Sequence, residues 1–355
     1  MQTEKHMNMK TIRLLLFGLC SSAAVYAQNE DDLIRFMQAG AADGSKLITA
    51  YISPMVEGFS YAMNGGWFHT AKPHKLGGFD FNFSVTPVFI PKSRDYFNPA
   101  DLNLSSNFVG FSNTTTSGNL APSIIGPKDR NEYQYDTGNG IITFSGPEGL
   151  GIRKTIKVAP VGLPMAQVGI GLIKGTDIMI RYVPKTNIGS TDLQLFGFAV
   201  RHDVKQHIPG IKMLPFDLSV MTGYTSFTGV TNMSGLAAEF PPDPGSSNVK
   251  QESEYRFNAF LLEALISKKL AFVTFFGGVG FNGINTRAKI KGSYTFFSGQ
   301  PYEFVLNNPY SATFKNSSMR LDAGMRINLM AFYLYGNYSL QEYQAFTFGL
   351  GFTFR

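Results

Sequence analysis

The chain has 355 residues, of which 16% are charged and 14% aromatic, the reverse of the composition that keeps a chain disordered. It contains one cysteine and no run of about 18 apolar residues, which excludes a disulfide-stapled scaffold and a bundle of membrane helices. The net charge of +6 is spread without a cluster of lysine and arginine, so nucleic acid is not an expected partner. A soluble β-rich protein or a membrane β-barrel remains.

The N-terminus has the pattern of an export signal. A basic stretch precedes the apolar residues 14–19, and small residues stand just before Gln28, as in a cleaved signal peptide. We therefore predict removal of residues 1–27 and a mature chain that begins at Gln28. Cys20 does not make this a lipoprotein signal, because the bulky Leu19 stands where a small residue is required.

Residues 28–64 have apolar residues at helical spacing, which predicts a helical N-terminal segment. Gly44 and Pro54 are expected to divide it into two short helices. The segment either plugs a barrel, from inside or against its periplasmic mouth, or forms an amphipathic surface helix or an ordinary packed helix. Methionine and aromatic side chains suit an adaptable apolar contact. The hatch contacts are assigned to Phe36, Met37, Met55 and Phe59.

From Trp67 onward the apolar period changes to two. Runs such as 79–86 and 319–327 approach the length of about 10 residues that a tilted membrane strand needs. Tight junctions are expected at 174–176 and 267–269, and the polar stretches cannot lie in hydrocarbon, because their backbone groups would be unsatisfied. The pattern predicts an all-β, antiparallel transmembrane β-barrel of about 12–14 strands over residues 65–355, with long loops near 92–138, 228–250 and 296–315.

The C-terminal strand carries the most specific signal. Its aromatic and leucine residues alternate with small ones and would form a sticky edge in water, which favours a lipid-facing barrel seam over a secreted β-sandwich. The strand also resembles the recognition signal of bacterial outer-membrane proteins, although Arg355 follows the last aromatic residue. We predict a location in the outer membrane of a Gram-negative bacterium, contact with its lipid, and recognition by the barrel-assembly machinery through Phe346, Phe348, Leu350, Phe352 and Phe354.

Charged residues fall on the face opposite the apolar one and are expected to point into the barrel. They either pair there and hold its shape or line a path for a solute. Phe272 and Phe276 belong to a hairpin with apolar residues on both faces, which suits packing against an internal plug or lining a hydrophobic pocket. The predicted lumen-lining or ligand-binding residues are Arg181, Arg201, Asp217, Arg320, Asp322, Arg326, Phe272 and Phe276. Aromatic residues near strand ends, among them Trp67, Phe68, Tyr333 and Tyr335, are expected to form an interfacial girdle.

Catalytic motifs are missing from the sequence. No G-x-S-x-G or H-E-x-x-H occurs, and the adjacent His202 and Asp203 would point to opposite faces of a strand. His207 is not at the helical spacing of a zinc site, and the sequence around it reads as a polar turn. We predict a protein that is not an enzyme and holds no metal or cofactor.

Two resemblances extend these predictions. A helical segment followed by Asn64, Gly65 and Gly66 and then a barrel resembles the layout of the fatty-acid transporter-like outer-membrane proteins, which implies an N-terminal hatch that passes hydrophobic molecules. Residues 197–210, together with 217–219, resemble a group of uncharacterised outer-membrane barrel proteins of Bacteroidetes. That second resemblance implies location and fold and no activity.

The resulting expectation is passive transport of a hydrophobic or amphipathic small molecule through a lumen gated by residues 31–63. The alternative is a non-transporting barrel that anchors or assembles partner proteins, as a subunit of a secretion machinery would. A membrane enzyme that modifies lipid is a third, less favoured class.

Overall fold

The computed structural model describes residues 33–115, 117–247 and 250–354, so the predicted signal peptide lies outside the described residues. A 3-10 helix, Ile34–Ala39, leads into α1 (Gly40–Ala62), and a short α2 (Ile152–Ile156) lies farther along the chain. Within the described residues, no helix combines the length and apolarity that crossing a membrane requires.

Helix α1 is continuous, so the expected division at Gly44 and Pro54 is wrong. The break lies at Gly40, whose φ of 81° ends the 3-10 helix. Pro54 stays inside α1 because the hydroxyl of Ser53 donates to the carbonyl of Ala50, 3.2 Å away. That carbonyl is the one left without its backbone donor by the proline.

The strands of the described residues, in chain order, are β1 (Phe79–Val85), β2 (Val88–Phe89), β3 (Tyr96–Phe97), β4 (Phe108–Asn113), β5 (Ala121–Pro122), β6 (Glu132–Asp136), β7 (Ile141–Ser145), β8 (Pro160–Val161), β9 (Pro164–Gly171), β10 (Thr176–Ile188), β11 (Thr191–Asp203), β12 (Asp217–Asn232), β13 (Glu252–Leu270), β14 (Val273–Lys291), β15 (Ser293–Phe296), β16 (Phe304–Asn307), β17 (Tyr310–Leu329), β18 (Phe332–Leu340) and β19 (Ala345–Phe354).

Ten of these strands close a barrel in the order β1-β9-β10-β11-β12-β13-β14-β17-β18-β19, and β19 pairs back onto β1. The short strands β2 and β8 extend the same sheet to 12 strands. At the seam, Phe79 lies opposite Phe354 and Phe83 opposite Leu350, in antiparallel register. The predicted all-β antiparallel barrel is confirmed.

The two ends of the barrel differ in their connections. Residues 86–163, 233–251 and 292–309 all emerge at one end, which we call the long-loop end. The opposite end, called the short-turn end, has turns at 172–175, 271–272 and 330–331 and the longer connection 204–216. Outer-membrane barrels place long loops outside the cell and short turns in the periplasm.

Alternation gives the wall two chemically different faces. Aromatic and aliphatic side chains point outward along every barrel strand, and several are about half exposed, such as Phe348 at 56%. Glycine and polar residues occupy most of the inward face, together with buried aromatic residues such as Phe276. Exposed apolar surface that encircles a molecule marks contact with lipid, because soluble monomers rarely show contiguous apolar patches of this extent.

Candidate functional site

The lumen is filled by the chain itself. Helix α1 lies at the long-loop end, and residues 63–78, here called the plug segment, run from it through the barrel to β1 at the short-turn end. The helix that was expected inside the barrel or against its periplasmic mouth thus lies at the long-loop end, the end that outer-membrane barrels usually place outside the cell. Periodicity identifies the buried face of a helix and does not say which barrel end receives it.

Arg181 binds the part of the plug segment nearest the long-loop end. It is fully buried on β10, and its Nη2 donates to the carbonyl of Gly65 at 2.7 Å, while its Nη1 donates to that of Met63 at 3.3 Å. Its Nε donates to Gln167 at 3.0 Å, and its guanidinium carbon lies 3.6 Å above the ring of Trp67. Backbone carbonyls and an aromatic face thus surround this charge.

A second cluster lies nearer the short-turn end. Arg201 donates through Nη1 to the carbonyl of Thr70 at 2.5 Å and is ion-paired with Asp177 on the neighbouring strand. The carboxylate of Asp177 also lies 3.0 Å from Nδ1 of His74. The wall and the plug segment therefore share one buried carboxylate.

A third cluster joins β17, β18 and β1 across the plug segment. Nη1 of Arg326 lies 2.8 Å from Nδ1 of His69, and Nε2 of the same ring lies 3.0 Å from Asp80. Because arginine can only donate, Nδ1 accepts its hydrogen bond, and the protonated Nε2 donates a hydrogen bond to the carboxylate of Asp80. Tyr333 donates to the same carboxylate at 2.9 Å, and its ring lies 3.8 Å from the Arg326 guanidinium carbon.

The fourth cluster surrounds Arg320. Its Nη1 donates to the carbonyl of Asn64 at 2.9 Å, and its Nε and Nη2 donate to the carboxylate of Asp322 at 2.5 and 2.8 Å. Glu263 lies 3.9 Å from Nε of the same arginine. Four wall arginines therefore contact two stretches of the plug segment, residues 63–65 and 69–70, and hold both against the barrel wall.

The structure places the predicted hatch residues at the long-loop end. Phe59 packs between Phe227 and Phe257, with ring centroids 5.2 and 4.9 Å away. Phe36 contacts Tyr133 at 5.6 Å, Met37 is buried beside it, and Met55 packs against the same core from a half-buried position. These residues join α1 to the barrel wall and to the long connection after β1. Their role as a hatch stays a prediction.

The other predicted lumen residues are not all inside. Phe276 points inward and meets Phe68 of the plug segment at 5.8 Å between centroids. Asp217 stands at the short-turn end and accepts a hydrogen bond from Ser267 at 3.4 Å. Phe272 is 62% exposed in the turn between β13 and β14 and does not line the lumen.

The displaced turn explains the position of Phe272. The expected junction at 267–269 belongs to β13, which continues to Leu270, and the turn is formed by Ala271 and Phe272. Ala271 adopts a positive φ of 52°, a conformation that glycine or asparagine usually supplies in two-residue hairpins. Without that signature, sequence reasoning placed the turn too early.

Four aromatic residues expected in the girdle are buried in the lumen instead. Trp67 and Phe68 belong to the plug segment, and Tyr333 and Tyr335 point inward from β18. The two tyrosines fit because glycines stand opposite them on β19. A Cβ atom at Gly349 would lie 2.2 Å from the Tyr335 ring. A tyrosine that pairs with a glycine on the adjacent strand was the sequence signal that could have predicted these inward-facing rings.

Sequence reasoning missed His69, His74 and Glu263 as lumen residues. The two histidines lie outside the strands, so period-two alternation could not assign them to a face. Glu263 lies on β13 between Leu262 and Ala264, which point outward, so strand alternation could have predicted that Glu263 points into the lumen.

At the short-turn end, His202 and His207 come together, with 3.0 Å between their Nε2 atoms. Thr176 lies 2.8 Å from the other ring nitrogen of His202. In the part of the chain that the structure describes, no three His, Cys, Asp or Glu side chains are grouped so that they could hold a metal ion. The absence of catalysis stays a prediction.

The sequence profile of a family of unknown function (DUF6588) matches residues 7–354. The chain belongs to this family. No curated protein matches its sequence. The resemblances to fatty-acid transporter-like proteins and to Bacteroidetes barrels stay predictions.

Several solved outer-membrane structures are similar at low scores. Ail, the attachment invasion locus protein of Yersinia pestis, has a TM-score of 0.25 and 10% identity over 79% of this chain and 99% of that one. The translocator domain of the autotransporter NalP from Neisseria meningitidis has 0.29 and 9% over 88% and 98%. The outer membrane transporter YddB from Escherichia coli has 0.29 and 9% over 77% and 41%. The assignment of the barrel rests on its own strand pairing.

Proposed function

We propose that this member of DUF6588 is an outer-membrane barrel that does not conduct solutes and that anchors partner proteins at the membrane. The observation that carries the proposal is the set of four buried wall arginines that donate to the plug segment. Withdrawing the segment would take the carbonyl and imidazole acceptors away from these buried guanidinium groups, although Arg201 and Arg320 would keep their wall aspartates. Leaving a buried polar group without its hydrogen-bond partner costs about 1–3 kcal/mol, and more when the group is charged.

Passive transport of a hydrophobic molecule, gated by residues 31–63, is supported less well. Movement of α1 would uncover the long-loop end, yet the plug segment would still fill the lumen below it. A solute path therefore requires the four arginine clusters to open together.

The long-loop end supports an anchoring role. The connection from β1 to β9 is folded into the sheets β3–β5 and β4–β6–β7 instead of an open loop. Tyr51 of α1 donates to the carbonyl of Glu148 at 2.6 Å, and Ile124 donates its backbone N–H to the carbonyl of Tyr51 at 3.0 Å. The end therefore presents a folded surface held by the helix.

A permeability assay with a cross-linked variant tests the closed lumen. The backbone N–H of Ala71 donates to the hydroxyl of Ser267 at 3.0 Å, so Ala71→Cys with Ser267→Cys can join the plug segment to the wall. Vesicles that contain wild-type or cross-linked protein should not swell in small sugars, whereas porin vesicles should. Swelling of wild-type vesicles, or swelling of double-cysteine vesicles that disappears on oxidation and returns on reduction, would contradict the proposal.

Co-purification from native membranes tests the anchoring role. We expect a protein partner at stoichiometric amount that is lost when the segment 104–147 is replaced by a short linker. Two results together would favour transport: a preparation that contains lipid and no protein partner, and a path for apolar solutes that opens when residues 31–63 are deleted.

A further inference from the structure

A groove that contains several polar side chains interrupts the outer face of the barrel, on the side of the apolar surface nearer the long-loop end. It lies on β13, β14 and β17, has a volume of about 400 Å³, and is lined by Asn258, Phe260, Gly283, Asn285, Lys315 and Ser317. The volume falls within the range of small-molecule sites. Gly283 stands opposite Phe260 and has no side chain, which leaves the depression between its neighbours.

The groove contains a hydrogen-bond acceptor that the protein does not satisfy. Oδ1 of Asn258 accepts from Tyr224 at 2.8 Å and from Ser226 at 3.1 Å. Oδ1 of the neighbouring Asn285 is buried and accepts no hydrogen bond from the described residues. A buried acceptor without a donor is costly, so this atom favours a ligand that carries a hydroxyl or amide N–H group.

Cations collect directly above the groove. Arg256 and Arg287 are opposite each other in register, and like charges in that position destabilise a sheet. Glu254 lies 3.3 Å from Arg256 but is also paired with Lys291. Within the described residues, Arg287 forms no ion pair with a carboxylate, and neither do Lys289 and Lys315.

We propose that this groove binds a phosphorylated glycolipid of the surrounding membrane, an inference that rests on the membrane location in the proposed function. Arg256, Arg287 and Lys315 receive the phosphate, and Asn285 accepts from a sugar hydroxyl. The acyl chains lie along the apolar surface below, where Phe281 and Met319 are exposed. A bound phosphate relieves the repulsion between the opposed arginines.

Native mass spectrometry of the full chain in detergent, with lipid A as the probe, tests the site. Each lost charge-assisted hydrogen bond changes an affinity by about tenfold. We expect Arg287→Gln with Lys315→Gln to weaken lipid A retention by about tenfold or more. The matched control is Lys268→Gln with Lys269→Gln, two exposed cations at the other end of β13, which should retain lipid A as wild-type does.

Two further probes make the test selective. Lipid A without phosphates should bind wild-type as weakly as lipid A binds the double variant. Asn285→Leu should weaken lipid A retention and leave phosphatidylglycerol retention unchanged, because only the sugar contact is lost. Equal lipid A binding by wild-type and the Arg287/Lys315 variant would overturn the inference. A folded chain that fractionates away from membranes would instead overturn the proposed function.

Discussion

Arg181 illustrates how the lumen holds charge without pairing every cation. It contacts two plug carbonyls, the Gln167 amide and the Trp67 ring, whereas Arg201 and Arg320 each form an ion pair with an aspartate. Strand alternation predicted that all three arginines point inward. Alternation could not identify the backbone carbonyls that these arginines contact, because the plug segment has no periodic pattern.

Replacing Arg181 by alanine should remove these contacts and leave two carbonyls unsatisfied. We expect the free energy of unfolding to fall by about 3 kcal/mol. Urea titration in detergent would measure it, with Lys185→Ala, an exposed cation, as the control. A loss no larger than that of the control would show that Arg181 does not hold the plug.

A substitution at Gly349 tests whether the Tyr335 ring points into the lumen. A Cβ atom there would lie 2.2 Å from the Tyr335 ring, whereas Gly336 on the adjacent strand has nothing within 4 Å. Gly349→Ala should therefore lower the free energy of unfolding by about 1–3 kcal/mol, as overpacking does. Gly336→Ala should be nearly neutral. Equal effects of the two substitutions would place Tyr335 outside the lumen.

Helix α1 is fastened to the turn between β18 and β19 by two phenols. Tyr61 donates to Glu342, and Tyr343 donates to Glu57, which also pairs with Arg94 at 2.6 Å. Burial raises the pKa of Tyr61 and of Tyr343, and the neighbouring carboxylates raise both pKa values further. Helical spacing predicted this element, but its polar contacts depend on a turn some 280 residues later.

The raised pKa values predict a loss of stability in alkali. A group with a raised folded-state pKa stabilises the fold fully below its unfolded pKa of about 10, and that contribution is lost as the pH rises. The free energy of unfolding should fall between pH 9 and 11, and fall less in Tyr61→Phe with Tyr343→Phe. Urea titrations at both pH values would measure the difference, and identical pH slopes would contradict it.

At the scale of the whole molecule, the barrel could be predicted because its strands repeat one pattern along most of the chain. The strand number was predicted less well. About 12–14 barrel strands were expected, whereas ten close the barrel, and the sheet reaches 12 only through β2 and β8, two-residue strands with no period to detect. The filled lumen could not be predicted at all from alternation. It depends on contacts between inward polar residues and residues 63–78, which sequence distance and pattern do not connect.

We expect the plug segment to stay in the lumen of the native protein. Amide hydrogen exchange of the protein in lipid vesicles measures this directly, because Ala71 and Gly77 donate backbone hydrogen bonds to the wall or its turns. We predict that residues 63–78 exchange as slowly as the barrel strands, over hours. Exchange of this segment within seconds, while the strands stay protected, would show that the plug leaves the lumen and would contradict the account.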